Sequence, residues 1–370
     1  MTPVNLDQNA TTPLLPAADE AMRQVNAQAP GNPASAHAAG RKARQFLETA
    51  RERVASLLDC LPEEVLFTSG ATEANNLAIF GLAGDVPGLI EASPIEHPCV
   101  TEPLKLLSKR GFTINWLPVD PRGFVDVVKF QRESKLRTVM LANHETGAIQ
   151  PVKAMVTATP FHCDAAQAVG KISVSFRDLG VTTLSLSAHK FRGPKGVGAL
   201  LVKQGTPLRP LMFGGHQQRS LRPGTEPVAL AVGLATALEH AVSTMAATAV
   251  RLTAYRQRLI EQLRKAVPPV IVNGPLPGEA NSLPTTLNVS FPGCRNDLLL
   301  MALDLAGVMC STGSACSSGS LLPSQVLKEM HAPDDVLRSA MRFSVGETTT
   351  NAEMEDAAKR IAACVRKARE

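Results

Sequence analysis

The feature that most restricts the fold is a rhythm. Over most of the first 250 residues, short apolar runs alternate with stretches of helical periodicity. Ala43, Leu47, Ala50, Val54 and Leu57 recur at helical spacing, with Arg44, Glu48, Arg51 and Glu52 off that face. Residues 65–67 then read as a short strand, 69–72 as a turn and 73–82 as a helix. Residues 89–92, 113–117, 138–142, 161–163, 184–186 and 197–202 are further strands. Strands spaced by helices imply a mainly parallel sheet covered on both faces. A long helical region from Pro227 to about Ala266 follows, and the rhythm changes after it. Residues 286–291 and 340–344 read as strands and 351–367 as a closing helix, which sets a domain boundary near residue 250.

Composition closes off other architectures. Hydrophobic residues make up 44% and charged residues 19% of the 370 positions, so the chain is neither disordered nor a coiled coil. Seven cysteines are too few for a disulfide scaffold, and their odd number leaves at least one thiol unpaired. No C-x-x-C pair occurs, which argues against a zinc ribbon. Free thiols point to a reducing, cytoplasmic compartment. Residues 1–7 do not read as a signal peptide. The apolar run 228–238 is too short to span a bilayer and reads as a buried helix, so no membrane partner is expected. A net charge of +5, without a basic block interleaved with aromatics, gives no support for direct nucleic-acid binding.

Several segments carry chemistry. In Ser187-Ala188-His189-Lys190 a lysine closely follows an apolar strand, where the strand's C-terminal edge opens on a crevice. A lysine there can form a Schiff base with a carbonyl cofactor. In Phe161-His162-Cys163-Asp164 an aspartate reaches the same sheet edge, either capping the next helix or facing a protonated ring nitrogen. Gln167, one turn on, either donates to a cofactor oxygen or faces solvent. Small residues at 68–72 lead into a helix, so free backbone N–H groups and the helix dipole converge as at a phosphate site or a simple N-cap. His97 could stack on an aromatic cofactor and relay protons. Its neighbour Cys99 and the His162-Cys163 pair follow no metal-ligand spacing, so no metal site is expected. Cys316 lies in a small, polar stretch, Gly313-Ser314-Ala315-Cys316-Ser317-Ser318-Gly319, where a thiol can be exposed; Cys310 ends an apolar run and reads as inert. Arg342, a charge inside a strand-like run, could clamp a substrate carboxylate or sit in a surface ion pair.

In this order the segments closely resemble the fold-type I pyridoxal-phosphate enzymes of the class V aminotransferase family, and within it the NifS/IscS-like cysteine desulfurases. The resemblance runs from Leu6-Asp7-Gln8-Asn9-Ala10-Thr11-Thr12-Pro13 to Arg342-Phe343-Ser344-Val345-Gly346. It includes 31–37, 68–76, Ile95-Glu96-His97-Pro98 and Arg222-Pro223-Gly224-Thr225. The Gly313-Ser314-Ala315-Cys316 loop is its most specific mark. The resemblance implies a large domain over 15–250 with a mainly parallel seven-stranded sheet. It implies a smaller α+β domain from 1–14 and 251–370.

The resemblance also implies roles. Lys190 would hold pyridoxal 5'-phosphate covalently and later move the Cα proton. Asp164 would pair with the ring nitrogen, Gln167 would bond the phenolic oxygen, and His97 would stack on the ring and serve acid–base steps. Ala71, Thr72, Ser187 and His189 would hold the phosphate, with Thr225 reaching the phosphate of the neighbouring subunit of a homodimer. Arg342, with Asn143 and His144, would bind the substrate. Cys316 would take sulfur from L-cysteine as a persulfide, release L-alanine and pass the sulfur to an acceptor protein, an iron–sulfur scaffold or a sulfur carrier.

The chain departs from the pattern in three places. His144 stands where relatives carry an asparagine near the cofactor. His216 stands in Gly214-Gly215-His216-Gln217-Gln218-Arg219 where relatives carry a third glycine. The stretch between Glu145 and Asp164 is shorter than usual. Selenocysteine lyase, an ordinary aminotransferase and a non-catalytic sulfur-transfer subunit are the competing readings.

Overall fold

The computed structural model describes residues 2–127, 133–313 and 323–370. The chain opens with β1 (Val4–Asn5), then α1 (Pro16–Gln28) and α2 (Ala38–Leu57). Next come β2 (Val65–Thr68), α3 (Ala71–Ala83), β3 (Leu89–Ala92), α4 (Pro98–Lys109), β4 (Thr113–Trp116) and β5 (Leu136–Thr138). The short α5 (Val152–Met155), β6 (Phe161–Asp164), α6 (Phe176–Leu179), β7 (Thr183–Ser187) and β8 (Gly198–Val202) follow. The long α7 (Val228–Ala266) leads to β9 (Ile271–Val272), β10 (Thr286–Ser290), α8 (Asn296–Leu305) and β11 (Val308–Met309). The chain closes with α9 (Gln325–Glu329), α10 (Asp334–Leu337), β12 (Ala340–Ser344) and α11 (Asn351–Arg369).

A seven-stranded sheet in the order β2-β8-β7-β6-β5-β3-β4 forms the centre. All pairings are parallel except those of β8, which runs antiparallel to both β2 and β7. The fold is therefore the mainly parallel α/β sheet that the strand–helix rhythm predicts. Strands β6, β7 and β8, and the edge strand β2, are buried at every residue, as a sheet covered on both faces demands. One strand differs from expectation. Regular pairing of the strand expected at 138–142 begins at Leu136 and ends at Thr138, where β3 stops opposite it at Ala92, while β6 runs on to Asp164. Leu141 still donates its N–H to Asp164 O at 2.8 Å.

The 228–238 run is the buried helix face it reads as. Val228, Ala231, Leu234, Ala235 and Leu238 are buried, and α7 packs on α1 and α2. By length and composition α7 could cross a membrane, but this face is an inner surface. A second hydrophobic cluster gathers Leu259, Leu263, Val289, Phe291, Leu303, Phe343 and Ile361 around β10 and β12. Val4 and Leu6 join it, because β1 pairs in parallel with β11.

Gly198 shows how tightly β8 meets the turn before α3. A Cβ there would collide with Leu186 O and stand 2.8 Å from Gly70 Cα. Both obstacles are backbone and cannot rotate away. Gly198→Ala is expected to destabilise the fold by about 1–3 kcal/mol. A Tm equal to wild type would contradict this close approach.

Candidate active site

The parallel strands bring their carboxyl ends to one edge, and the candidate residues gather there. Asp164 is the last residue of β6 and Ser187 the last of β7. A single 3-10 turn, Ala188–Lys190, then presents His189 and Lys190. Opposite, α3 begins at Ala71 just after the extended Gly70. His97 caps α4, accepting the Cys99 N–H at Nδ1 (3.2 Å). Ala71, Thr72, His97, His144, Asp164, Gln167, Ser187, His189 and Lys190 all line one cavity of about 520 Å³. That size is in the range of small-molecule and cofactor sites.

The side chains are held by short bonds. Lys190 Nζ donates to the carbonyls of Asn9 (2.7 Å) and Ala10 (3.0 Å). Gln167 is buried rather than solvent-facing; its Nε2 donates to Asn9 O (3.1 Å) and its Oε1 accepts from Lys171 Nζ (2.5 Å). Burial, and then the charges of Lys190 and Arg342, push the Lys171 amine well below the ordinary lysine range. Asp164 both starts the turn after β6, accepting the Ala166 N–H (2.9 Å), and accepts from Asn75 Nδ2 (2.7 Å). Arg342 is not in a surface pair. It is buried, with Nη2 on Asp7 Oδ1 (2.7 Å) and Nη1 on His144 O (3.2 Å), while Nε is unpartnered.

Three imidazoles at the cavity are held neutral. Burial lowers His97, assisted by the charges of Lys190 and Arg342 and opposed by Asp164. Since Nδ1 accepts the cap hydrogen bond, the neutral ring of His97 carries its proton on Nε2. Burial, and then Lys190, Lys195 and Lys171, push His189 down to about 4; its Nδ1 lies 3.1 Å from Thr11 Oγ1. His144 is pushed well below the ordinary range by burial, His97, Arg342 and Lys190. Its ring meets His97 edge to face at 5.4 Å, and its buried Nδ1 has no partner.

Not every expected residue comes to the cavity wall. Asn143 is buried with its amide engaged. Its Oδ1 accepts from Glu145 N (2.9 Å) and Thr146 N (2.9 Å), and its Nδ2 donates to Ile95 O (3.0 Å). It organises the turn that carries His144. Thr225 is exposed and away from the cavity. Cys316 lies outside the described residues. Gly313 and Pro323, which flank residues 314–322, line a neighbouring cavity of about 630 Å³ whose wall also includes His144. Cys99, given no role by the sequence beyond fitting no metal-ligand spacing, lines the cofactor-sized cavity, 2.9 Å from His97 Nδ1. Burial and Asp164 push its thiol far up, so it stays protonated and is no nucleophile.

Glu145 meets the described residues on either side of 314–322. Its Oε2 accepts from Ser324 Oγ at 2.5 Å, and a Cβ at Gly313 would strike the same carboxylate. Burial raises Glu145 from 4.5 to about 7, against the lowering by Ser324 and Arg342. A carboxyl raised on folding contributes stability that is complete below its unfolded pKa and lost as pH climbs through its folded one. Glu145→Gln, neutral throughout, should therefore gain on wild type in Tm as pH rises from about 5 to about 8. A difference that does not change with pH would contradict that assignment.

Comparison with known proteins agrees with this geometry. The class-V aminotransferase pattern matches residues 4–356. Cysteine desulfurase IscS of Dictyoglomus turgidum is 42% identical over 363 residues, covering 95% of this chain and 91% of that one. The IscS-like cysteine desulfurase of Mycobacterium tuberculosis is 38% identical over 382 residues, covering 98% and 96%. A solved NifS-like protein superposes with a TM-score of 0.92 at 36% identity, over 99% of this chain and 100% of that one. The chain thus belongs to the class-V aminotransferase family, in its cysteine desulfurase branch, whose members depend on pyridoxal phosphate.

Proposed function

We propose that this chain converts L-cysteine to L-alanine, with Lys190, Asp164, His97 and Cys316 dividing the work. The observation that carries the reading is the convergence of a lysine, a carboxylate and a helix N-terminus on one cavity of about 520 Å³. These residues fit pyridoxal phosphate. Lys190 supplies an amine for its aldehyde, and Asp164 a carboxylate for its ring nitrogen. The first turn of α3, with Thr72, Ser187 and the neutral His189, offers donors to its phosphate. Gln167 and the unpartnered, buried Nδ1 of His144 are further polar groups in the same wall. When bound, the cofactor supplies an electron sink for the carbanion at the substrate Cα.

The chain's own residues do the rest. Arg342 turns from Asp7 to bind the substrate carboxylate. Lys190 Nζ removes the Cα proton and returns one to the product. The Cys316 thiolate attacks the substrate sulfur, so an S–S bond forms as the Cβ–S bond breaks. The electron pair left on the amino acid takes protons, and L-alanine leaves. Sulfur stays on Cys316 as a persulfide. His97 holds its Nε2 proton in the cavity for the acid–base steps. The cavity that joins His144 to Gly313 and Pro323 supports a route for Cys316 to the substrate.

The same reading makes the protein a cytoplasmic homodimer, with Thr225 reaching the partner's phosphate site, and gives it a sulfur-acceptor protein. Residues 15–250 form its cofactor domain, and 1–14 with 251–370 the smaller one. Product analysis with L-cysteine, L-selenocysteine and an amino acid/keto acid pair tests the function. Alanine and sulfide from L-cysteine are expected. Keto-acid formation as the main product would overturn it in favour of transamination, and turnover of L-selenocysteine alone in favour of a lyase.

A further inference from the structure

Asp164 is backed by a chain of hydrogen bonds that runs through the sheet. Its Oδ2 accepts from Asn75 Nδ2 on α3 (2.7 Å). A carboxylate only accepts, so the Asn75 amide must point its nitrogen at Asp164. The other Nδ2 hydrogen goes to Cys99 Sγ (3.0 Å). Asn75 Oδ1 then faces His162 Nε2 on β6 at 3.0 Å, a hydrogen bond only if Nε2 carries the proton. Burial pushes His162 down to about 4, so the ring holds one proton, and Nδ1 is left with a lone pair. Thr183 Oγ1, on the paired residue of β7, lies 2.9 Å from Nδ1 and must donate to it. Thr183, His162 and Asn75 are completely buried, and Asp164 is 5% exposed.

We propose that Thr183, His162 and Asn75 are positioning residues that act as one directional chain, each donating toward Asp164, to hold that carboxylate for the protonated ring nitrogen of the cofactor. The proposal rests on the assignment of Asp164 above. The direction matters because every link is fixed by the next. An Asn75 amide turned the other way would set its oxygen against the carboxylate at 2.7 Å, and two acceptors at that distance repel. His162, with its single proton at Nε2, excludes that arrangement by requiring Asn75 Oδ1 opposite it. Hydrogen bonds aligned head to tail in a dry interior also polarise one another. His162 does not line the cavity, and its hydrogen bond toward the cofactor site is the one to Asn75.

The test measures cofactor binding and ring-nitrogen protonation rather than turnover. Full-length protein would be titrated with pyridoxal phosphate, and the ring-nitrogen NMR shift of the isotopically labelled cofactor recorded. Asn75→Leu should raise the Kd about tenfold or more and move the shift toward the unprotonated ring. His162→Phe should do the same to a smaller extent, while His162→Gln, which keeps an N–H for Asn75, should stay within about threefold of wild type. In an Asp164→Ala background, Asn75→Leu should add nothing, because the chain then has no carboxylate to orient. A merely structural role for Asn75 would show as equal losses in both backgrounds, with a lowered Tm of the cofactor-free protein and an unmoved shift. That result overturns the proposal, as does a wild-type shift in both Asn75→Leu and His162→Phe when Asp164→Ala alters it. If Asp164→Ala itself leaves Kd and shift unchanged, the Asp164 assignment falls first.

Discussion

Lys190→Ala is expected to lower alanine formation from L-cysteine by about 10⁴-fold or more, the range for a lost acid–base group that also holds the cofactor. The side chain sits in the 3-10 turn after β7, and its Nζ is fixed by the Asn9 and Ala10 carbonyls. Among the described residues no other lysine replaces it. Lys171 is buried behind Gln167, donating to Gln167 and Asn9, and does not line the cofactor-sized cavity. Lys195 lines that cavity but is exposed, on the loop that leads to β8. The variant should also release pyridoxal phosphate on dialysis, because only non-covalent contacts remain. Stopped-flow measurement of alanine with added primary amine separates the two roles, since a small amine restores proton transfer without restoring the covalent link. Turnover within about tenfold of wild type would remove Lys190 from the mechanism.

Cys316→Ser is the second large effect. A hydroxyl cannot accept sulfur from the substrate thiol, so alanine and sulfide formation should both fall by about 10³-fold or more. Binding of L-cysteine should persist, because Arg342 and the cavity are untouched. The expected signature is a spectral change on mixing with L-cysteine that does not proceed to alanine. The other cysteines do not substitute. Cys99 is held protonated by burial, and Cys310 is pushed up to about 12 mainly by burial and Asp7. Cys163 is buried beneath the sheet edge.

Much of this was legible in the chain, for physical reasons. The alternation of strand and helix signals is strong because a parallel sheet needs a crossover between each pair of strands, and each crossover needs an amphipathic face. Asp164, Ser187 and Lys190 were readable because carboxyl-terminal strand ends converge whatever the details of packing. The end of β5 was not. The apolar run continues to Ala142 with no break in its pattern, and the end of β3 at Ala92, opposite Thr138, is a matter of its partner rather than of local sequence. A charge in a strand marked Arg342, but its partner Asp7 lies 335 positions away in sequence, which periodicity does not report. Cys99 was given no place at the site because nothing local says that the cap of α4 lies at the cavity. The Thr183–His162–Asn75 chain spans three elements and was invisible for the same reason. Lys171 had no signal beyond its place one turn after Gln167.

The central claim is that sulfur moves from substrate to Cys316 as alanine forms. The direct measurement is the wild-type protein mixed with L-cysteine without reductant, followed by quantitation of alanine and peptide mapping by mass spectrometry. The account predicts one added sulfur atom on the peptide containing Cys316 for each alanine released in the first turnover. Alanine released with no sulfur on Cys316, or with sulfur on Cys99 or Cys310 in its place, would contradict it.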